Sequence, residues 1–406
     1  MALLACRGVL CYPLLWIVQK KAGGKMRLRE MRLKGFRLYD EAVFRPCEGI
    51  TVLCGNNAQG KTAVLEAVQL CCTGRSHRTV RDAELVKTGR ETALIEAGVD
   101  RPDGSHQVRM VFSTQERRKI AINGKTAAKS GELMGHMLGV LFSPEDLRMV
   151  KDGPAERRRF VDMELSQLRP SYYYALQRYN RALTQRGNLL RESYGQDVRP
   201  MLDLWDEQLA EIGAQIMIAR EGFLSTLAKH ASEAYREVSS GTEELTVRYK
   251  RSIGAEGDED TLKNAILQAL LQARETDMRR GTTSKGPHRD DVELQLGEMD
   301  VRAFGSQGQQ RTTALAMKLS ELRVMHDISG EWPVLMLDDV MSELDPIRRR
   351  KLLAHLPGVQ TIVTCTDAED LAGAEIGLMV QVQAGTLTGG ADIERTPVED
   401  IPDFLL

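Results

Sequence analysis

Eight consecutive residues, 55–62, constrain this chain more than any other part of its sequence. They read Gly-Asn-Asn-Ala-Gln-Gly-Lys-Thr and follow the pattern G-x-x-x-x-G-K-[ST]. Four of the five residues in the preceding segment, 50–54, are apolar, which favours a buried strand. After the motif, apolar residues recur at helical spacing at Val64, Val68 and Cys71. The sequence therefore predicts a strand, a phosphate-binding loop and a helix in this order.

Each part of this loop suits a nucleotide phosphate. Glycines let backbone N–H groups turn toward an anion, and the positive end of the next helix adds its dipole. Lys61 is predicted to neutralise the β and γ phosphates, and Thr62 to offer its hydroxyl to Mg²⁺. The predicted nucleotide contacts in this loop are Gly55, Asn56, Asn57, Ala58, Gln59, Gly60, Lys61 and Thr62.

Two carboxylates, Asp338 and Asp339, follow the apolar segment 334–337. A buried strand would place both at one edge of a sheet. We predict that Asp338 holds Mg²⁺ together with Thr62, and that Asp339 orients or deprotonates an attacking water. An apolar run that ends in two aspartates is also typical of an ordinary strand end. The interpretation as a catalytic pair depends on the phosphate loop upstream.

A third motif lies between these two. Residues 304–311 read Phe-Gly-Ser-Gln-Gly-Gln-Gln-Arg and precede a helical run of apolar residues. A serine that opens a helix presents a hydroxyl, N–H groups and a positive dipole, all of which suit a γ-phosphate. The alternative is that Ser306 simply caps the helix. The predicted ligand contacts in this signature segment are Ser306, Gly308 and Gln309.

The middle of the chain has a helical pattern, from residue 155 to about residue 280, before short strands return. Apolar residues there alternate three and four apart over three heptads: Leu202, Trp205, Leu209, Ile212, Ile216, Ala219 and Phe223. We predict an α/β fold split by a helical insert. Its segments are an upstream extension outside the fold (1–25), an N-terminal half (26–150), a short helical arm (151–284) and a C-terminal half (285–406).

The net charge and the cysteine content limit which partners and which cellular compartment are expected. The formal net charge is −2, so a nucleic-acid surface must be a local basic patch. The 7 cysteines include no Cys-x-x-Cys pair, which favours reduced thiols in a cytoplasmic protein over a disulfide scaffold or a zinc site. The apolar stretch 9–18 is too short to span a membrane, and no membrane partner is expected.

The three motifs in this order resemble the SMC/ABC-type ATPase head, and their spelling is similar to that of the RecF family. The segments with this second likeness are Gly-Arg-Ser-His-Arg-Thr at 74–79, Phe-Ser-Pro-Glu-Asp-Leu at 142–147, Gly-Pro-His-Arg-Asp-Asp at 286–291, Ser-Gln-Gly-Gln-Gln-Arg-Thr at 306–312 and Ser-Glu-Leu-Asp at 342–345. The likeness covers nearly all of residues 26–406.

The resemblance implies a function that the motifs alone do not. It implies ATP and Mg²⁺ as ligands, and an ATP-dependent homodimer in which the signature segment of one subunit completes the nucleotide site of the other. It also implies binding to gapped DNA, single-strand/duplex junctions or duplex DNA. The family promotes RecA loading with RecO and RecR in recombinational repair and replication restart.

Some residues depart from the wider ABC class and favour slow hydrolysis. Asp339 stands where most ABC heads have Glu, and Cys-Thr-Asp at 365–367 replaces a histidine of transporters. No glutamine loop follows Phe142. The alternatives are the ATPase subunit of an ABC transporter, a nuclease with a similar head, and a nucleotide-sensing scaffold that never hydrolyses. The insert and the absence of Leu-Ser-Gly-Gly disfavour a transporter, and the short distance to the end of the chain disfavours a nuclease.

Several basic clusters are candidates for a DNA surface. Arginines and lysines usually lie on solvated faces without a ligand, so each cluster also has that interpretation. The first choice is Arg75, Arg78 and Arg81, because their segment follows the helix of the phosphate loop and would lie close to the nucleotide.

Overall fold

The computed structural model describes residues 25–192, 198–239, 243–354, 358–367, 371 and 373–389. The strands are β1 (Arg27–Phe36), β2 (Tyr39–Phe44), β3 (Ile50–Cys54), β4 (Thr92–Arg101), β5 (Gly104–Ser113), β6 (Lys119–Ile122), β7 (Lys125–Thr126), β8 (Gly139–Phe142), β9 (Leu245–Lys250), β10 (Asp291–Leu296), β11 (Met299–Asp300), β12 (Val334–Leu337), β13 (Thr361–Cys365), β14 (Ile376–Gln383) and β15 (Thr386–Thr388). The helices are α1 (Lys61–Thr73), α2 (Leu147–Lys151), α3 (Pro154–Leu168), α4 (Pro170–Glu192), α5 (Arg199–Val238), α6 (Glu259–Arg280), α7 (Val301–Phe304), α8 (Gln307–Ser329), α9 (Val340–Glu343) and α10 (Pro346–Leu353).

A largely parallel sheet positions the motifs. Its order is β15-β14-β3-β13-β12-β8, and only β15 pairs antiparallel to its neighbour. Strand β12 is buried along its whole length, as expected for a strand covered on both faces. Because parallel strands end at the same edge, the phosphate loop after β3 and Asp338 after β12 lie on either side of the end of β13.

A second, antiparallel sheet has the order β2-β1-β4-β5-β6-β7. Helix α1 contacts strands of both sheets and is buried on nearly all its faces. The core around it contains residues from the two sheets, such as Leu33 and Ile95 from one and Val334 and Ile362 from the other. The helix that begins at the phosphate loop is therefore held in the interior, with nearly all of its side chains buried.

The helical insert packs on the sheet-forming parts. Helix α5 spans 40 residues, about 60 Å at 1.5 Å per residue, and contacts α4, α6, α8 and β9. Its buried side chains include Leu202, Leu209, Ile212, Ile216 and Phe223, all members of the predicted heptad pattern. One hydrophobic core runs from Val52 through this helix to Val363, so the three segments share their interior. The proposed boundaries at 150 and 284 stay a prediction.

One expectation for the middle of the chain is wrong. Residues 155–280 are not all helical, because β9 (Leu245–Lys250) pairs antiparallel with β10 and forms a small sheet with β11. The strands predicted at 50–54 and 334–337 are confirmed as β3 and β12. The predicted extension, residues 1–25, lies outside the described residues except for Lys25. Within the described ranges, no helix combines the length and the apolar character that a membrane crossing requires.

Candidate functional site

The phosphate loop is folded around the ammonium group of Lys61. This residue begins α1 and is only 4% exposed. Its Nζ donates to the carbonyl oxygen of Gly55 at 2.5 Å and to that of Asn56 at 3.2 Å. The cation is therefore held against the backbone of the loop, where an anion bound to the N–H groups would meet it.

Neighbouring strands fix the shape of the loop. Gly60 has φ of 115°, and a Cβ there would lie 2.9 Å from the Tyr39 hydroxyl oxygen, so only glycine fits without strain. The Tyr39 hydroxyl donates to the Gly60 carbonyl at 3.0 Å. On the other side, the Ala384 N–H donates to Gln59 Oε1 at 2.7 Å. The loop is thus ordered by β2 and by the turn between β14 and β15.

The predicted metal-binding pair is brought together. Thr62 Oγ1 donates to Asp338 Oδ1 at 2.9 Å, and Thr364 Oγ1 donates to the same oxygen at 2.8 Å. Burial raises the pKa of Asp338 above its ordinary value. A hydroxyl and a carboxylate are hard oxygen ligands of the kind that Mg²⁺ uses beside nucleotide phosphates, so these residues fit the predicted ion.

Asp339 has a different environment from Asp338. Its backbone adopts the left-handed conformation, with φ of 52°, and its N–H donates to Thr364 Oγ1 at 2.9 Å. The residue lines a cleft of about 570 Å³ together with the phosphate loop, Arg37 and Arg78. Asp338 therefore bonds the hydroxyls of Thr62 and Thr364, while Asp339 faces the cleft. This arrangement agrees with the two roles predicted for them, which stay a prediction.

The signature segment lies outside this cleft. Ser306 is the N-cap of α8: its side chain accepts from the Gln309 N–H at 3.2 Å, and Gln309 Oε1 accepts from the Ser306 N–H at 2.8 Å. The capping interpretation is confirmed. Ser306 is exposed and Gly308 half-buried, and neither lines the cleft with the loop. A phosphate contact by this segment stays a prediction. Because the segment lies outside the cleft, it would have to contact a nucleotide that is not bound in the cleft of its own chain.

The three arginines predicted for DNA are all exposed but face different places. Arg78 lines the nucleotide cleft and lies 4.0 Å from Glu66. Arg75 lines cavities beside α3. Arg81 lies 3.8 Å from Glu84. The structure therefore does not bring the three side chains to one surface, and their role in DNA binding stays a prediction.

Sequence reasoning missed Arg37. Its backbone is left-handed, with φ of 52°, and its guanidinium bonds Glu66 at 2.8 and 2.6 Å. Glu66 is fully buried on α1 and also accepts from the Ser76 hydroxyl. A charged residue on a helix that is otherwise apolar needs a partner. Glu66 was therefore the available signal for this network, which joins the cleft to the segment after α1.

The chain is similar to known proteins over most of its length. A family model described as an AAA domain matches residues 30–198. The DNA replication and repair protein RecF of Acetivibrio thermocellus is 39% identical over 365 residues, which are 89% of this chain and 99% of the relative. RecF of Symbiobacterium thermophilum is 42% identical over 374 residues, 89% of this chain and 98% of that protein.

Solved structures agree with these relatives. The recombination mediator protein RecF-ATPrS of the RecFOR pathway superposes with a TM-score of 0.84 at 34% identity, over 90% of this chain and 98% of that one. The Smc head domain of Pyrococcus furiosus shares the fold alone, with a TM-score of 0.53 at 17% identity over 89% of this chain and 95% of that one. The predicted fold class, an SMC/ABC-type P-loop head, is confirmed. The chain belongs to the RecF family of DNA replication and repair proteins.

Proposed function

We propose that this protein is an ATP-gated DNA-binding protein of recombinational DNA repair and replication restart. The observation that carries the proposal is the hydrogen-bonded group of Thr62, Asp338 and Thr364 beside the Lys61 loop, with Asp339 facing the same cleft. Such a site binds a nucleoside triphosphate and positions water against it.

ATP and Mg²⁺ are the proposed ligands. Lys61 and the N–H groups of the loop bind the phosphates, and Thr62 with Asp338 holds the metal ion. Mg²⁺ bound there would neutralise charge on the phosphates. A solved relative described as RecF-ATP, 34% identical to this chain, supports the choice of nucleotide.

Hydrolysis is proposed to be weak and stimulated by DNA. Asp339 is one methylene shorter than glutamate and its backbone is tied to Thr364, which limits its reach toward water. The transporter histidine is replaced at the end of β13 by Cys-Thr-Asp at 365–367. ATP binding then mainly switches DNA binding on, and ATP hydrolysis switches it off again.

The gate is proposed to be a homodimer in which the signature segment of one copy completes the nucleotide site of the other. Ser306 and Gln307 are exposed and do not line their own chain's cleft. Two large apolar side chains, Phe304 beside Ser306 and Ile347 on α10, are 75% and 57% exposed. Arg348 of α10 bonds Thr312 of α8 at 3.1 Å, so both apolar groups belong to one region of the surface.

DNA is the proposed target, at gaps, single-strand/duplex junctions or duplex, with contacts from the segment that carries Arg75, Arg78 and Arg81. The protein is proposed to act in the cytoplasm and to promote RecA loading with RecO and RecR. A relative named as a recombination mediator of the RecFOR pathway supports these partners.

Single-turnover ATP hydrolysis with and without gapped DNA tests the proposal. We expect slow hydrolysis that DNA accelerates and that Asp339→Asn abolishes. Hydrolysis that is absent under both conditions would favour the nucleotide-sensing scaffold. Fast hydrolysis that DNA does not change would contradict the proposal and favour an ATPase that drives another process.

A further inference from the structure

A groove with polar and apolar lining residues lies between the segment after α1 and the helices α3 and α4. This α3–α4 groove has a volume of about 230 Å³, and its polar lining includes Arg75, Arg158, Arg159, Tyr173, Gln177 and Asn180. A smaller cavity of about 110 Å³ adjoins it and shares Thr73, Arg75 and Arg159. Neither cavity includes the phosphate loop, so the groove is a separate feature of the surface.

The groove carries an excess of positive charge. Arg75 and Arg159 are exposed, and Arg158 is half-buried and donates one N–H to the Asp290 carbonyl oxygen at 2.6 Å. The carboxylate in its lining is Asp162, and Arg220 neutralises it through bonds of 3.0 and 3.1 Å.

The positive charge of the groove continues along helix α4. Helix α4 contains no carboxylate before Glu192, and Arg181 follows Gln177 by one helical turn. The adjoining cavity is instead balanced in charge, because its four acidic residues stand beside four basic ones: Glu145, Asp146, Glu156 and Glu164, with Arg75, Arg148, Arg159 and Lys318. A polyanion would therefore run from Arg75 along α4 and away from the smaller cavity.

The side chains in the groove match a nucleic-acid backbone better than a protein partner. Guanidinium groups bind phosphates, the amides of Gln177 and Asn180 bond phosphate or sugar oxygens, and the ring of Tyr173 offers a face for a sugar or base. A protein interface would need exposed apolar anchors. Among the described residues, the large exposed apolar side chains all lie outside this lining.

A short rigid segment joins the groove to the nucleotide cleft. Arg75 lines the groove, and Arg78, three residues later, lines the cleft. Between them, Ser76 bonds the buried Glu66, and His77 Nδ1 bonds Gln69 Oε1 at 2.6 Å. Both anchors lie on α1, which begins at the phosphate loop, so hydrogen bonds to one helix hold the segment between the groove and the cleft.

We propose that the α3–α4 groove binds the sugar-phosphate backbone of DNA, with Arg75 and Arg159 as the central phosphate contacts. This inference rests on the proposed function and refines it, because it keeps Arg75, moves Arg78 to the nucleotide site and adds residues of α3 and α4. Binding there positions the protein on DNA without reading the bases.

The test compares two double variants that each remove two positive charges. R75Q/R159Q acts in the groove, and R117Q/K125Q acts on exposed residues of the β5–β7 region. Fluorescence anisotropy with labelled gapped DNA and Mg-ATP is measured over a series of salt concentrations. For R75Q/R159Q we expect the slope of log K against log salt to fall by about 1.8, and affinity to fall roughly a hundredfold near 0.1 M salt. The control variant R117Q/K125Q should retain most of the DNA affinity of the unsubstituted protein.

A third variant guards against a folding defect. Gln177→Glu adds a carboxylate to the groove without removing an arginine, and we expect weaker DNA binding with unchanged ATP binding by calorimetry. If the unsubstituted protein binds no DNA, both the proposed function and the groove are wrong. If it binds DNA and the groove variants lose no more affinity than the control pair, the groove alone is wrong.

Discussion

Lys61 is the cation that the phosphate loop holds in place, with Nζ 2.5 Å from the Gly55 carbonyl oxygen. Lys61→Ala should remove a charge-assisted contact of about 1.5 to 3 kcal/mol, roughly a ten- to hundredfold loss in ATP affinity. Calorimetry of ATP binding measures this, with Lys125→Ala as an exposed control that should bind normally. ATP binding by Lys61→Ala at the strength of the control would remove the loop from the nucleotide site.

Asp338 and Asp339 are adjacent, yet their contacts differ. Asp338 accepts from Thr62 and Thr364, so Asp338→Asn should weaken Mg-ATP binding. Asp339→Asn should leave ATP binding intact and accumulate the ATP-bound dimer, because hydrolysis would release it. Calorimetry and light scattering on both variants separate the two effects. Indistinguishable results for the two variants would refute the division of roles.

Residues in contiguous motifs could be predicted from the sequence, and residues placed by side-chain contacts could not. Thr62 and Asp338 meet because each follows a strand of one parallel sheet, an arrangement that the order of motifs indicates. Arg75 and Arg78 line different cavities, because Glu66 and Gln69 hold the segment between them in place. Those bonds form between side chains whose relative positions depend on how α1 is buried, which no local pattern encodes.

At the scale of helices, a buried arginine holds the insert together. Arg186 of α4 is fully buried and bonds Asp206 of α5 at 2.6 Å and Asp277 of α6 at 2.8 Å. Arg186→Ala should lower the free energy of unfolding by about 3 to 5 kcal/mol, because the buried Asp277 loses this counter-charge and Asp206 keeps only Arg274. Urea unfolding measures this, with the exposed Arg178→Ala expected to stay within about 0.5 kcal/mol. Equal stability of the two variants would contradict this role.

Buried acids link α3 and α8. Burial raises the pKa of Glu321 to about 7 and also raises that of Glu164, while Lys318 Nζ lies 2.5 Å from Glu321. A carboxyl whose pKa is higher in the folded state contributes stability that is fully present below its ordinary pKa of 4.5 and is lost as pH rises through about 7. Glu321→Gln should flatten this fall in the free energy of unfolding. Parallel pH profiles for the two proteins would contradict the prediction.

Two elements, α5 and β9, show what a local sequence pattern can predict. The heptads of residues 202–223 identify the buried face of α5, because apolar spacing follows helix geometry directly. The same approach missed β9, where Leu245, Val247 and Tyr249 alternate with polar residues over six positions between two helices. That alternation was an available signal. The pairing with β10, more than forty residues away, is the long-range contact that stabilises it.

For the whole molecule, the fold class could be predicted because three motifs in one order resemble a known ATPase head, and two of them, the phosphate loop and Asp338, do lie at one sheet edge. The continuity of the core could not, since Val52, Leu224 and Val363 meet only after the insert has packed on the sheet. The position of the signature segment outside its own cleft is likewise a property of the folded chain. This position makes a second copy necessary for a complete site in our account.

Light scattering with and without Mg-ATP tests whether a second copy completes the site. We expect the mass to double with ATP, and we expect Ser306→Arg to stay monomeric while it still binds ATP, because the added side chain obstructs the exposed cap of α8. Gln115→Arg, which makes a similar change on the exposed β5–β6 turn, should dimerise normally. A protein that stays monomeric with ATP, or a Ser306→Arg variant that still doubles its mass, would contradict the account.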